Sequence, residues 1–272
     1  MTALSKESVE SLESPLARSV EVHETLGSTQ ERARELASEG APHGTLVVSK
    51  VQTGGRGRLG RRWGSPAGGL WMSLVLRPGI STQVAARTTQ AAAVGVTKAL
   101  RSFGVEVRIK WPNDLLVQGR KVCGILAESS VESVPVAAKK VGPGERRLVD
   151  FIVLGVGLNA NLDPRDLGVP GSEVATLRSK LGRDLDLLEL LESLLHYLDV
   201  ELGRIEDFEA ILEDWRTLNC TLGERVRVTR FGEVLEGVAL DLGPDGELRL
   251  QTRDGIIELF EGEVEQLRRE TA

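Results

Sequence analysis

The sequence predicts an α+β fold with a small all-β unit at its C-terminal end, and three observations carry that expectation. Strand-like and helix-like patterns interleave from residue 28 to about residue 220. Beyond Asn219 only short alternating runs remain, separated by Gly, Pro and Asp turns. The chain has 272 residues, 41% of them hydrophobic, enough for one large domain and one small one. The predicted organisation is a flexible terminus at 1–18, a main domain at 19–220 and a β unit at 221–272.

Taken in order, residues 1–18 carry little pattern and are expected to fray. Ser28 and Glu31 have capping-box spacing, and Ala33, Leu36 and Ala37 form a helical stripe that stops near Gly40. Thr45 to Lys50 and Gly69 to Leu76 read as strands on either side of a glycine- and arginine-rich segment. Ser81 is placed to cap one long Ala-rich helix reaching Phe103, with Gly104 as its stop. Val105 to Lys110 alternates as a half-buried strand. Leu115–Val117 and Lys121–Glu128, joined at Gln118-Gly119-Arg120, form a hairpin. Residues 131–147 are expected to be a loop, and Leu148–Gly157 a buried strand. Leu185–Leu202 and Phe208–Trp215 are amphipathic helices. Val226–Val228, Val234–Leu242, Leu248–Leu250 and Ile256–Phe260 belong to about five short strands of a barrel-like unit.

Composition narrows the function. The net charge of −6 argues against a nucleic-acid-binding domain, which is usually basic. Two cysteines, Cys123 and Cys220, give no disulfide framework and suit a reducing compartment. The N-terminus lacks an apolar signal core, and the longest apolar run, around Phe151–Leu158, is too short to cross a bilayer. The expectation is a soluble cytoplasmic protein.

The most informative segment is Gly55-Arg56-Gly57-Arg58-Leu59-Gly60-Arg61-Arg62-Trp63. Four guanidinium groups this close repel unless an anion answers them, and the glycines let backbone N–H groups approach that anion. Arginine suits bidentate capture of carboxylate or phosphate. The glycines also satisfy G-x-G-x-x-G, but Trp63-Gly64-Ser65-Pro66 cannot sustain the helix a dinucleotide fold requires. Walker-A glycine spacing fails as well, because Arg61 and Arg62 stand where Lys and Ser/Thr belong. A solvated loop or an RGG-type nucleic-acid tail is the plainer alternative.

Lys110-Trp111-Pro112-Asn113-Asp114 forms a second constellation, a strand end turned by Pro112. Asn113 offers a donor and an acceptor to a purine edge. Asp114 suits either a basic neighbour or Mg²⁺, and Asn-Asp after Pro is equally an ordinary turn. Lys121 precedes Gly124 in a strand, and a glycine there favours close approach of a ligand; the plainer reading is a surface lysine on a hairpin. Gly155-Val156-Gly157-Leu158-Asn159 repeats that theme at a strand end, where simple termination is the alternative. Of the three histidines, His196 lies on an amphipathic helix and reads as structural.

Together these segments resemble the biotin–protein ligases (biotin–acetyl-CoA-carboxylase ligases). Residues 55–63 match the family's G-R-G-R-x-G-R-x-W, and Lys110–Leu115 its K-W-P-N-D-L. Arg120–Leu126 match R-K-x-x-G-I-L, and Gly155–Asn159 match G-x-G-x-N. The resemblance runs from about Ser28 to the C-terminal unit. It implies a mixed-sheet catalytic domain of the biotin/lipoate ligase type with an SH3-like β-barrel behind it. It implies two substrates, biotin and ATP, with Mg²⁺, and synthesis of biotinyl-5′-AMP. The acceptor would be a lysine of a biotin carboxyl carrier domain, without DNA binding or membrane association; pairing of two copies is also implied.

By the same resemblance, Ser28, Thr29, Gln52, Gly55, Arg56, Trp71, Gly124 and Gly157 would bind biotin. Arg58, Arg61, Trp63, Lys110, Asn113 and Asn159 would bind ATP. Lys121 and Arg58 would act at the carboxylate and α-phosphate, with Asp114 a candidate Mg²⁺ ligand. The family's usual asparagine after Ser-Thr is Gln30 here, a change expected to matter little, and Leu59 replaces a residue that is often basic. Only about 25 residues precede Ser28, against about 60 in a family helix-turn-helix domain, so a ligase without repressor function is expected. Two rivals remain: a lipoate–protein ligase and a non-catalytic nucleotide- or nucleic-acid-binding module.

Overall fold

The computed structural model describes residues 4–131, 148–171 and 173–267. Its elements run in the order α1 (Lys6–Glu10), β1 (Ser19–Leu26), α2 (Thr29–Ser38), β2 (Thr45–Gln52), β3 (Leu70–Leu76), α3 (Thr82–Ala85) and α4 (Thr88–Ser102). There follow β4 (Arg108–Lys110), β5 (Asp114–Val117), β6 (Arg120–Val131), β7 (Val149–Leu158), α5 (Leu177–Leu181), α6 (Leu187–Gly203) and α7 (Phe208–Leu218). Strands β8 (Arg225–Arg230), β9 (Glu233–Leu242), β10 (Leu248–Thr252), β11 (Gly255–Leu259) and β12 (Glu263–Gln266) complete the chain.

The main sheet has seven strands in the order β1-β2-β3-β7-β6-β5-β4. Only β1 and β2 are parallel, joined through α2; the other pairs are antiparallel, so the sheet is mixed. Both faces are covered. Ala33 and Ala37 of α2 pack on Val47, Val75, Phe151 and Val153 on one side. Helices α4, α6 and α7 cover the other, where Leu46, Leu74, Leu154 and Leu158 meet Leu194, Leu198 and Trp215 in one continuous core. Gly95 lets α4 and α6 approach closely: a Cβ there would lie 2.9 Å from the Tyr197 carbonyl oxygen.

Four expectations need correction. The residues before β1, expected to fray, place Leu4, Val9, Leu16 and Ala17 in the core. The long helix from Ser81 is broken: Ser81 caps α3, and α4 starts afresh after Arg87. Arg87 is held there by Asp245 at 3.0 Å and lies 4.8 Å over the Phe208 ring. The predicted strand 105–110 shortens to β4, although Val105 and Val107 are fully buried. The expected loop at 131–147 lies, beyond Val131, outside the described residues.

The fourth correction concerns the C-terminal unit. Its five strands are present, in the order β11-β10-β9-β8-β12, but the outer strands β11 and β12 do not pair, so the sheet stays open and no barrel closes. The apolar side chains of this sheet find burial without that closure. Val226, Val228, Ala239, Leu242, Leu248 and Leu250 join the same core as the main domain. Trp111 is the anchor between the two parts. Its backbone N–H donates to Thr221 Oγ1 at 2.9 Å, and its indole N–H donates to the Gly246 carbonyl at 3.2 Å.

Candidate active site

One cavity of about 630 Å³ opens where the ends of β2, β5, β6 and β7 meet the start of α2, the arginine segment and the C-terminal sheet. Such a volume is typical of a small-molecule site. Its residues divide into a polar floor, a cationic side and an outer rim.

The floor lies at the N-terminus of α2. Ser28 Oγ accepts the Glu31 N–H at 3.4 Å and caps the helix. The Glu31 carboxylate turns to Arg56. Gln52 Oε1 accepts from the Thr29 N–H at 2.8 Å and faces Thr29 Oγ1 at 3.0 Å, and its Nε2 donates to Ser65 Oγ at 2.8 Å. Gly155 and Gly157 of β7 and Gly124 of β6 leave the strand surface bare. A Cβ at Gly155 would stand 2.5 Å from Gln30 Oε1, one at Gly157 2.5 Å from Trp63 Nε1, and one at Gly124 3.1 Å from the Trp63 ring.

The arginine segment folds back as a small hairpin, with Trp63 N–H donating to the Gly55 carbonyl at 2.8 Å and Gly57 N–H to the Arg61 carbonyl at 2.8 Å. A single 3₁₀ turn spans Arg58–Gly60, where Leu59 (φ 56°) and Gly60 (φ 72°) take left-handed backbone and the Leu59 side chain stands in solvent. Three of the four guanidiniums have separate partners. Arg56 pairs with Glu31 at 2.5 Å, Arg58 donates to Asn113 Oδ1 at 3.3 Å, and Arg61 pairs with Glu263 of β12. Burial depresses the Arg58 pKa, against the pull of Asp114 and Glu261. It stays cationic, with its charge poorly hydrated and available to an anion.

Lys121 Nζ lies 2.6 Å from Asp114 Oδ1 and 4.9 Å from the Trp63 ring centre. The backbone of β6 here holds a parallel bridge to Val174, and Lys121 N–H donates to the Glu173 carbonyl at 2.8 Å. Asn159 Nδ2 donates to the Ala175 carbonyl at 3.1 Å, so the segment leading into α5 closes this end. Among the described residues, two buried wall atoms find no hydrogen-bond partner: Asn159 Oδ1, an acceptor, and Trp63 Nε1, a donor. Between Lys121 and Gly124 sits Cys123, wholly buried, its thiol pushed well above its usual range by burial. Cys220 is half-buried, and burial raises its thiol too.

Most of the residues singled out from sequence line this one cavity: Ser28, Thr29, Gln52, Arg56, Arg58, Arg61, Trp63, Lys110, Asn113, Asp114, Lys121, Gly124, Gly157 and Asn159. Two stand outside its wall. Trp71 is fully buried, and its indole N–H donates to the Pro66 carbonyl at 3.0 Å. Gly55 backs Gln52: a Cβ there would lie 2.5 Å from the Trp63 carbonyl oxygen and 3.2 Å from Gln52 Nε2. Sequence reading named Gln30 only as a substitution of little consequence, and it missed Ser73 on the floor, Val169 and Glu173 on the closing segment, and Thr229 and Glu263 from the C-terminal sheet. A lone serine inside an apolar strand carries no local signal, so nothing marked Ser73 in advance.

The profile of the Biotin/lipoate A/B protein ligase family matches residues 22–142, and that of the Biotin protein ligase C terminal domain matches residues 221–266. The Bifunctional ligase/repressor BirA of Bacillus subtilis is 34% identical over 251 residues, covering 89% of this chain and 72% of that protein. The chain belongs to the biotin–protein ligase family. A second member, the biotin–[acetyl-CoA-carboxylase] ligase of Mycobacterium tuberculosis, is 28% identical over 92% of this chain and 90% of its own length. Among solved members, the biotin protein ligase from Aquifex aeolicus in complex with biotin and ATP superposes with a TM-score of 0.73 at 28% identity. That match covers 92% of this chain and 99% of the other.

Proposed function

We propose that the chain is an ATP-dependent biotin–protein ligase. It activates biotin to biotinyl-5′-AMP with release of pyrophosphate, then transfers biotin to a lysine of a biotin carboxyl carrier domain. The observation that carries this reading is a single cavity with a hydroxyl- and amide-lined floor at one end and a convergence of cations at the other.

In this reading the ureido ring of biotin meets Ser28, Thr29 and Gln52, and its tail runs over the bare strand surface at Gly124 and Gly157. The biotin carboxylate then points at Lys121 and Arg58. Its oxygen attacks the α-phosphorus of ATP, and the bond to the pyrophosphate oxygen breaks. Two unit charges 4 Å apart repel by about 4 kcal/mol at an effective dielectric of 20, so cations at the meeting point are needed. Lys121 supplies one by exchanging Asp114 for the reacting anions. Arg58, Arg61 and Lys110 take the phosphates, Trp63 offers a face to the adenine, and Asn113 and Asn159 read the base. The unpartnered Asn159 Oδ1 suits an exocyclic amine. In the second step the acceptor amine attacks the acyl carbon, AMP departs, and the amine loses its proton. The nucleophiles are the substrates themselves, so no Ser, His or Cys nucleophile is required.

Mg²⁺ would arrive on the triphosphate and screen it. Asp114 is the carboxylate we offer as its protein ligand. Among the described residues, no cluster of three or more His, Cys, Asp or Glu supplies a separate cation site. No helix among the described residues is long and apolar enough to cross a membrane, and both cysteines are free, which suits our placing of the enzyme in the cytoplasm. Pairing of two copies along an outer strand of the main sheet is part of the same reading, with sedimentation as its check.

The test is incubation with biotin, ATP, Mg²⁺ and a carrier domain, followed by mass measurement. A gain of one biotinyl group on the carrier is expected. Lipoyl transfer without biotinyl transfer, or salt-sensitive oligonucleotide binding without pyrophosphate exchange, would replace this reading with one of its rivals.

A further inference from the structure

Trp111 stands at the strand end that carries Lys110, Asn113 and Asp114 into the cavity, and it lines the cavity wall itself. It is buried, and both of its N–H groups donate into the C-terminal unit. The acceptor for its indole, the Gly246 carbonyl, belongs to the turn between β9 and β10, and no residue of that turn lines the cavity. Three side chains of the main domain grip the turn. The Asp245 carboxylate accepts from Gln83 Nε2 and from the Arg87 guanidinium, each at 3.0 Å, and Gln90 Nε2 donates to the Gly246 carbonyl at 3.4 Å. Gly246 takes left-handed backbone (φ 84°), and a Cβ there would stand 2.5 Å from Gln90 Nε2, so this seat suits glycine. Beyond Trp111, Asn113 Nδ2 donates to the Ile125 carbonyl at 2.6 Å, Asn113 Oδ1 accepts from Arg58, and Asp114 pairs with Lys121. A continuous path of bonds thus runs from Asp245 through Gly246 and Trp111 to the cationic side of the cavity.

We propose that Asp245 is a positioning residue for the nucleotide: it seats the β9–β10 turn, the turn seats Trp111, and Trp111 sets where Lys110, Asn113 and Asp114 stand. Among the described residues its carboxylate bonds to no cavity-lining residue, so it acts through the indole. Groups that bind a phosphate or a base lose much of their value when shifted by about 1 Å. The floor at α2 and β2 shares none of these contacts, so the effect falls on ATP and spares biotin. The inference rests on the ligase reading and extends it to a turn outside the cavity wall.

The test is biotin-dependent ATP/pyrophosphate exchange on the full chain, with titration calorimetry for biotin. The proteins are wild type, Asp245→Ala, Asp245→Asn, Trp111→Phe, and the double variant combining Asp245→Ala with Trp111→Phe. Asp245→Ala and Trp111→Phe are each expected to raise the KM for ATP at least about fivefold, with biotin affinity within about twofold of wild type. Partial unfolding would lower kcat and leave KM in place, so a rise in KM separates positioning from bracing. Both changes break one path, so the double variant should be no worse than the poorer single one. Asp245→Asn, which keeps an acceptor, should recover most of the loss. Should Asp245→Ala not fold, Gln83→Ala, which removes one of the carboxylate's two donors, takes its place in the cycle. An unchanged KM for ATP in folded variants, losses that multiply in the double variant, or an equal loss of biotin affinity overturns the inference while the ligase reading stands. Absence of exchange in the wild type would overturn both.

Discussion

At the residue scale, Lys121 is the side chain with the most to change between empty and working states. It is paired with Asp114 and faces an indole, so its ammonium is already partly dehydrated and held at the junction of both cavity ends. Lys121→Ala is expected to lower biotin-dependent ATP/pyrophosphate exchange at least about tenfold, since a charge-assisted contact to the reacting anions is lost. Near wild-type exchange would remove Lys121 from the chemistry. Such residues were legible in the sequence because arginines, lysines and glycines at fixed spacing have few structural uses. Gln30 and Ser73 were not, because one polar residue at a helix start or inside a strand has no local signature. What makes them matter is their meeting, 43 residues apart, with a third group on β6.

At the element scale, the short helix α5 shows how the nucleotide end is braced. Thr176 is buried and caps it reciprocally with Ser179: Thr176 Oγ1 accepts the Ser179 N–H at 3.1 Å, and Ser179 Oγ faces back to the Thr176 backbone. The adjoining backbone bonds to Asn159 and Lys121, with Leu177 N–H donating to the Asn159 carbonyl and Ala175 N–H to the Lys121 carbonyl, each at 2.9 Å. Thr176→Val, which keeps the volume and removes the cap, is expected to cost about 1 kcal/mol, measured by urea unfolding without ligand. An unchanged midpoint would mean that the strand contacts alone hold this helix start. Elements with strong periodicity were readable in advance: α2, α6, α7 and the β5–β6 hairpin stand close to where apolar spacing and turn residues put them. Strand β1 escaped because an outer strand buries only part of one face, and Val20, Val22 and Leu26 are too few to make a pattern. The break between α3 and α4 escaped sequence reading; Arg87 at the junction is paired with Asp245, far along the chain.

At the scale of the whole molecule, the second sheet is continuous with the main core, and its Glu263 reaches Arg61 across the cavity mouth. The alternation after Asn219 announced five strands; whether they would close depended on pairing between the outer strands β11 and β12, which no local pattern encodes. Long-range charge pairing also shapes the response to acid. Glu21 is held at a pKa of about 2, against an ordinary 4.5, chiefly by its bonds to Arg32, with burial opposing and His23 assisting. Because the folded value is depressed, the stabilisation is full above pH 4.5 and is lost as pH falls towards 2. Urea midpoints measured between about pH 7 and pH 3 should fall less steeply in Glu21→Gln than in the wild type. Parallel curves would show that this pair contributes nothing to acid stability. The two sheltered thiols carry a practical corollary. Cys123 and Cys220 are the chain's entire sulfhydryl complement, and burial keeps both from the reactive thiolate form. Leu59→Cys, on the solvent-facing tip of the arginine hairpin, would therefore be the one fast-alkylating position. A maleimide dye attached there would report opening and closing of the cavity mouth without prior removal of any native cysteine.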